Sequence, residues 1–188
     1  ADDSVGLAAG TSGTIIFTTN GGGNWETIET GWMHPYHAAE QATPLQGVVA
    51  GVNSIFQPLV GLTFDSWQNY DFHVFYPFHN GSFWEGMITD IAFIDTSFGY
   101  ASVAIFDGQG AICETLDSGA TWQTVYWSDV ALYGIDTYGD EGFVACAVGA
   151  SGRIVFSWAP GSWLVRTSPT NQTLRGVSFG SAGGIWAA

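Results

Sequence analysis

One eight-residue frame recurs along this chain and restricts its fold more than any other feature. Thr115-Leu116-Asp117-Ser118-Gly119-Ala120-Thr121-Trp122 has a hydroxyl, an acidic turn residue, a glycine and a tryptophan at fixed offsets. Thr18-Thr19-Asn20-Gly21-Gly22-Gly23-Asn24-Trp25 repeats it, with Thr18, Asn20, Gly22 and Trp25 at the matching places. A degraded copy is read over Pro77 to Trp84, keeping Gly81 and Trp84. A copy one residue shorter is read over Ser157 to Trp163, keeping Gly161 and Trp163. Trp25, Trp84, Trp122 and Trp163 are spaced by 59, 38 and 41 positions. Spacing near 40 is the length of a four-stranded propeller blade. The longer first gap implies an insertion over about residues 29–45, in which "HPYHAAEQATP" suggests a short helical turn.

The frame has a physical logic. An Asx side chain accepts hydrogen bonds from nearby backbone amides, glycine supplies positive φ, and a hydroxyl secures the corner. The tryptophan then wedges its apolar face between neighbouring sheets. On this reading Thr115, Asp117, Gly119 and Trp122 are structural staples, and Asp117 is no catalytic acid. The flanks repeat too. Asp90 to Val125 and Leu132 to Val165 each read as strand, glycine turn, strand, glycine turn, strand, box, strand, with the alternation of β-structure and no long helical pattern. Val5 to Ile28 begins at the second strand of that plan. Leu174 to Phe179 supplies a first strand, which is expected to complete the N-terminal blade. The fold class expected is all-β, a β-propeller of four-stranded antiparallel blades, either four in number or part of a larger ring.

These boxes resemble the Asp-box of sialidase-like propellers. The fuller repeat, "GLAAGTSGTIIFTTNGGGNWE" and "FGYASVAIFDGQGAICETLDSGATWQ", resembles that of the photosystem II stability/assembly factor family. The resemblance covers most of the chain except roughly residues 31–76. It implies a non-enzymatic scaffold in the thylakoid lumen or another extracytoplasmic compartment, docking on a membrane-protein complex. The alternative it implies is a secreted carbohydrate-binding or sialidase-like propeller.

Charge narrows the partners. The chain has no lysine, three arginines (Arg153, Arg166, Arg175) and 17 carboxylates, for a net charge of −14. Such a surface repels phosphate backbones, so nucleic acid is not an expected partner. A start at Ala1 without Met reads as a processed chain or a fragment. Two sequons, at Asn80 and Asn171, would permit glycosylation on export. Cys113 and Cys146 lie in apolar strand patterns, which suit either two buried thiols or one disulfide.

No catalytic constellation, metal site or cofactor motif is expected. A sialidase needs arginines from different blades, whereas these three lie close together in sequence. His34, His37 and Glu40 have zinc-ligand chemistry but no further partner of fixed spacing. Asp107 to Gly110 reads as a hairpin turn. Aromatics outside the boxes suit recognition better. Trp32, Tyr36, Trp67, Tyr70, Tyr126 and Trp127 are the partner-binding candidates.

Overall fold

Apolar runs of four to eight residues between glycine-bearing corners become strands here, and every sheet is an up-and-down meander. The computed structural model describes residues 4–139, 144–180 and 184–188. The first sheet has three strands, β1 (Gly6–Ala9), β2 (Ile15–Thr18) and β3 (Glu26–Thr27). The second has four, β4 (Tyr36–Gln41), β5 (Gly47–Val52), β6 (Pro58–Thr63) and β7 (Asp71–Val74). A small hairpin, β8 (Phe78–His79) and β9 (Ser82–Phe83), leads into the third sheet. That sheet comprises β10 (Gly86–Phe93), β11 (Gly99–Ile105), β12 (Gly110–Thr115) and β13 (Gln123–Ser128). The fourth comprises β14 (Leu132–Tyr138), β15 (Val144–Gly149), β16 (Ile154–Ser157) and β17 (Trp163–Arg166). β18 (Val177–Phe179) and β19 (Ile185–Ala187) form a final antiparallel pair.

Consecutive sheets pack face to face through their first strands. β4 lies between β1 and β10, β14 lies against β10, and β18 lies against β14. Each gap holds its own core layer. Ile15, Phe17, Val49 and Trp67 fill the first, Val48, Val60, Ile88 and Val103 the second, and Tyr100, Ile112, Leu132 and Val155 the third. The middle strands β5, β6, β11 and β12 are buried on both faces, so they read as unbroken apolar runs rather than alternating ones.

The boxes sit between the last two strands of their sheets, as their chemistry requires. Thr115 Oγ1 accepts from the amides of Asp117 (3.3 Å) and Gly119 (2.8 Å) and donates to Asp117 Oδ1 (2.9 Å). Asp117 in turn accepts from the Thr121 amide and hydroxyl, at 2.8 and 2.6 Å. Thr18 and Asn20 make the same contacts around Gly22 and Asn24, apart from the hydroxyl bond that Thr121 adds. Trp122 donates its indole N–H to the Gly119 carbonyl at 2.8 Å and stacks on Phe75. In the short copy, Ser157 donates to the Ala159 carbonyl, Gly161 takes a φ of 75°, and Trp163 is buried against Tyr100.

Four expectations are corrected. The presumed insertion over residues 29–45 leads into a complete blade, and the stretch expected to hold a helical turn forms β4. Its box is Thr63-Phe64-Asp65-Ser66-Trp67-Gln68-Asn69-Tyr70, in which Thr63 and Asp65 reproduce every backbone contact of Thr115 and Asp117. Conversely, Pro77 to Trp84 is no box. Asn80 and Gly81, at φ 50° and 79°, turn the β8–β9 hairpin, and Trp84 donates to the His79 carbonyl instead. Finally, β18 pairs with β19 and lies on β14, so it does not complete the N-terminal sheet. Cys113 and Cys146 are free and buried.

Candidate functional site

The first strands carry a chain of carboxylates from sheet to sheet. Glu40 on β4 accepts from the Phe93 amide of β10 at 2.9 Å. Asp90 on β10 accepts from the Ile135 amide of β14 at 3.0 Å, and Asp136 on β14 accepts from the Phe179 amide of β18 at 2.8 Å. Together they line a cavity of about 300 Å³. Burial, with Asp136 and Asp90 nearby, outweighs the Phe93 amide and pushes Glu40 up to about 7. Asp90 is raised as well, chiefly by burial. These groups stitch the inner strands together, each accepting from a backbone amide of the next sheet.

The box carboxylates are the opposite case. Hydrogen bonds from the Asn69 side chain and amide hold Asp65 below the usual carboxylate range. Burial would raise Asp117, yet the Thr121 hydroxyl and amide keep it below that range too. Each is an anion whose acceptor sites are engaged within its own turn.

The six aromatics proposed as recognition residues divide. Tyr36 and Trp67 are core, 2% and 4% exposed, in the layer between the first two sheets. Tyr70 is half-buried against that layer and donates its hydroxyl to the Glu29 carbonyl. Tyr126 is half-buried beside Trp163. Trp127 is half-buried, its ring stacked on His79 at 4.5 Å and its N–H given to Gln109. Trp32, 55% exposed and stacked on His34 at 5.3 Å, is the one that faces solvent.

A larger exposed aromatic surface lies elsewhere, on the loops opposite the boxes. Phe56 in the β5–β6 turn meets Phe106 in the β11–β12 turn edge to face, with centroids 5.1 Å apart. The β8–β9 hairpin continues the surface, with Phe83 contacting Phe78 at 5.0 Å and Tyr76 at 6.0 Å. Backbone bonds tie these loops together: the Gly86 amide donates to the Phe56 carbonyl, and the Phe106 amide to the Glu85 carbonyl. Gln57 donates to the Tyr76 hydroxyl. The sequence signal for this ridge was a set of lone aromatics beside turn residues, which periodicity treats as strand ends.

The arginines do not converge. Arg153 pairs with Asp129 at 2.7 Å, Arg166 lies over the Trp158 ring at 4.2 Å, and Arg175 lies over Tyr133 at 5.4 Å. Among the described residues, no three His, Cys, Asp or Glu side chains are grouped to hold a metal ion. Likewise among them, no helix is long and apolar enough to cross a membrane. His34 stacks on Trp32, while Glu40 bonds to Phe93, so the two do not form one ligand set.

No protein-family model and no curated protein sequence matches the chain. Solved structures do. YCF48 bound to a D1 peptide is similar over 99% of this chain and 57% of its own, with a TM-score of 0.66 at 19% identity. YCF48 from Cyanidioschyzon merolae matches over 99% of this chain and 60% of its own, with a TM-score of 0.66 at 17% identity. The NanB sialidase from Streptococcus pneumoniae matches over 92% of this chain and 31% of its own, with a TM-score of 0.63 at 13% identity. The chain thus spans about three fifths of the length of the YCF48 structures. These likenesses, with the meander sheets packed side by side, establish a β-propeller fold.

Proposed function

We propose that this chain is a non-enzymatic β-propeller module that binds protein and docks on a membrane-protein complex such as a photosystem, serving its assembly or stability. The observation that carries the reading is the likeness, along 99% of the chain, to a YCF48 structure that holds a D1 peptide. The compartment proposed is the thylakoid lumen or another extracytoplasmic space. The box carboxylates support a scaffold role, because their acceptor sites are spent on their own turns.

The likeness to NanB favours a second reading, a secreted carbohydrate-binding or sialidase-like propeller. Against it stand the three arginines, each engaged by a different partner, which leaves no clamp for a substrate carboxylate. Calorimetric titration of the chain with the D1 peptide tests the first reading, and saturable heat is expected. Turnover of a fluorogenic sialoside by the purified chain would overturn the non-enzymatic assignment.

A further inference from the structure

The exposed ridge on the second and third sheets has a size and a charge that select its occupant. Ile55, Phe56, Tyr76, Phe78, Phe83 and Phe106 are all exposed, Phe83 to 71%. At about 200 Å² per aromatic side chain, they leave roughly 600 Å² of mainly apolar surface open. That is the upper end of what a monomer leaves uncovered, so the patch is more than scattered hydrophobics. It is smaller than the ~800 Å² per partner of an ordinary interface between globular proteins. A short segment fits that area better than a folded domain. The exposed carboxylates Glu85 and Asp107 border the ridge, and none of the three arginines lies on these two sheets. A second copy of this chain, itself at −14, would bring like charges together. A cationic segment is drawn in, and its guanidinium or ammonium groups find aromatic faces as well as carboxylates.

We infer that this ridge binds a short extended segment of a partner protein in which apolar side chains alternate with arginine or lysine. This rests on the protein-binding reading and specifies where and what it binds. The apolar residues pack on Phe56, Phe106 and the β8–β9 hairpin, and the cations reach Glu85 and Asp107.

The test is fluorescence anisotropy of the whole chain with three labelled synthetic peptides. One alternates Leu and Phe with Arg, one replaces Arg by Glu, and one replaces Leu and Phe by Ser. The basic–apolar peptide is expected to bind and the other two to bind far more weakly. Phe83→Ser and Phe106→Ser, both at exposed positions, each weaken binding about tenfold. The Glu85→Gln/Asp107→Asn pair weakens it and flattens its salt dependence. Leu116→Ser, exposed on the box side, leaves binding unchanged. Equal binding of the acidic peptide, or undiminished binding by both Phe variants, overturns the inference. If the D1 peptide binds and no synthetic peptide does, the ridge assignment fails and the protein-binding reading stands. If the ridge variants lose the basic peptide while the D1 peptide never binds, the ridge stands and the photosystem reading fails.

Discussion

The indole of Trp67 lies against the backbone of Gly47, so closely that a β-carbon on Gly47 would fall 2.7 Å from its Nε1. Trp67 holds the place in its turn that Gly119 and Gly22 hold in theirs, and it takes the same left-handed backbone, at φ 64°. A bulky residue there is strained. Burial in the layer with Ile15, Phe17 and Val49 offsets that strain. Two substitutions probe this exchange. Gly47→Ala should cost about 1–3 kcal/mol through overpacking. Trp67→Gly relaxes the backbone but empties the layer, and should cost about 3–5 kcal/mol. Urea denaturation measures both, and a Trp67→Gly variant as stable as the parent would contradict the account.

Asp117 should behave as a staple whose oxygens matter and whose charge matters less. Asp117→Ala strips acceptors from the Thr115 hydroxyl and from the Thr121 amide and hydroxyl, at an expected cost of about 1–3 kcal/mol. Asp117→Asn keeps the Oδ1 contacts that Asn20 already makes in the first box. It should therefore lose under about 1 kcal/mol, chiefly the Thr121 hydroxyl bond. Comparing the two denaturation midpoints decides the matter. Similar losses would mean that charge, and not the acceptor geometry, secures the turn.

Why the sequence disclosed three boxes and concealed the fourth follows from what each turn demands. The hydrogen bonds use the residues at Thr63 and Asp65, whereas the recurrence visible along the sequence is carried by glycine and tryptophan. In the second sheet, tryptophan moves to the glycine place and tyrosine to the tryptophan place, so the signature vanished although the chemistry remained. Pro77 to Trp84 shows the reverse, a glycine and tryptophan in register without the threonine–aspartate pair that folds the turn. β5 and β6, buried on both faces, lacked the alternation that marks a half-exposed strand. Two of the aromatic candidates are buried for a related reason. Tyr36 and Trp67 sit beside turn residues in sequence, yet the sheet in front of them turns that place into core. The Phe56–Phe106 contact joins turns of different blades, a pairing that only packing creates.

Both thiols should be inert in the folded chain. Burial pushes Cys113 and Cys146 up to about 12, Cys113 despite its contact with the Thr124 hydroxyl. The thiolate is the reactive form, so a thiol-specific chromogenic reagent should label neither residue at neutral pH and both in denaturant. Reductant should leave the melting temperature unchanged. Rapid native labelling of either cysteine would place it nearer solvent than the core layers allow.

The carboxylates between inner strands give the fold a pH dependence whose sign is fixed. In the unfolded chain Glu40 titrates near 4.3, whereas in the folded chain burial, Asp136 and Asp90 push it up to about 7. Between those values the folded state holds a proton that the unfolded state has lost. Its contribution is fully present below the lower value and disappears as pH rises through the upper one. The loss amounts to at most about 4 kcal/mol. Asp90, also raised, acts in the same direction. Melting temperature should therefore fall from pH 5 to pH 8. Glu40→Gln keeps an acceptor for the Phe93 amide and removes the titration, so its curve should be flatter and should lie above the parent at pH 8. Parallel curves for the two proteins would mean that Glu40 carries its charge at no cost, against the burial that surrounds it.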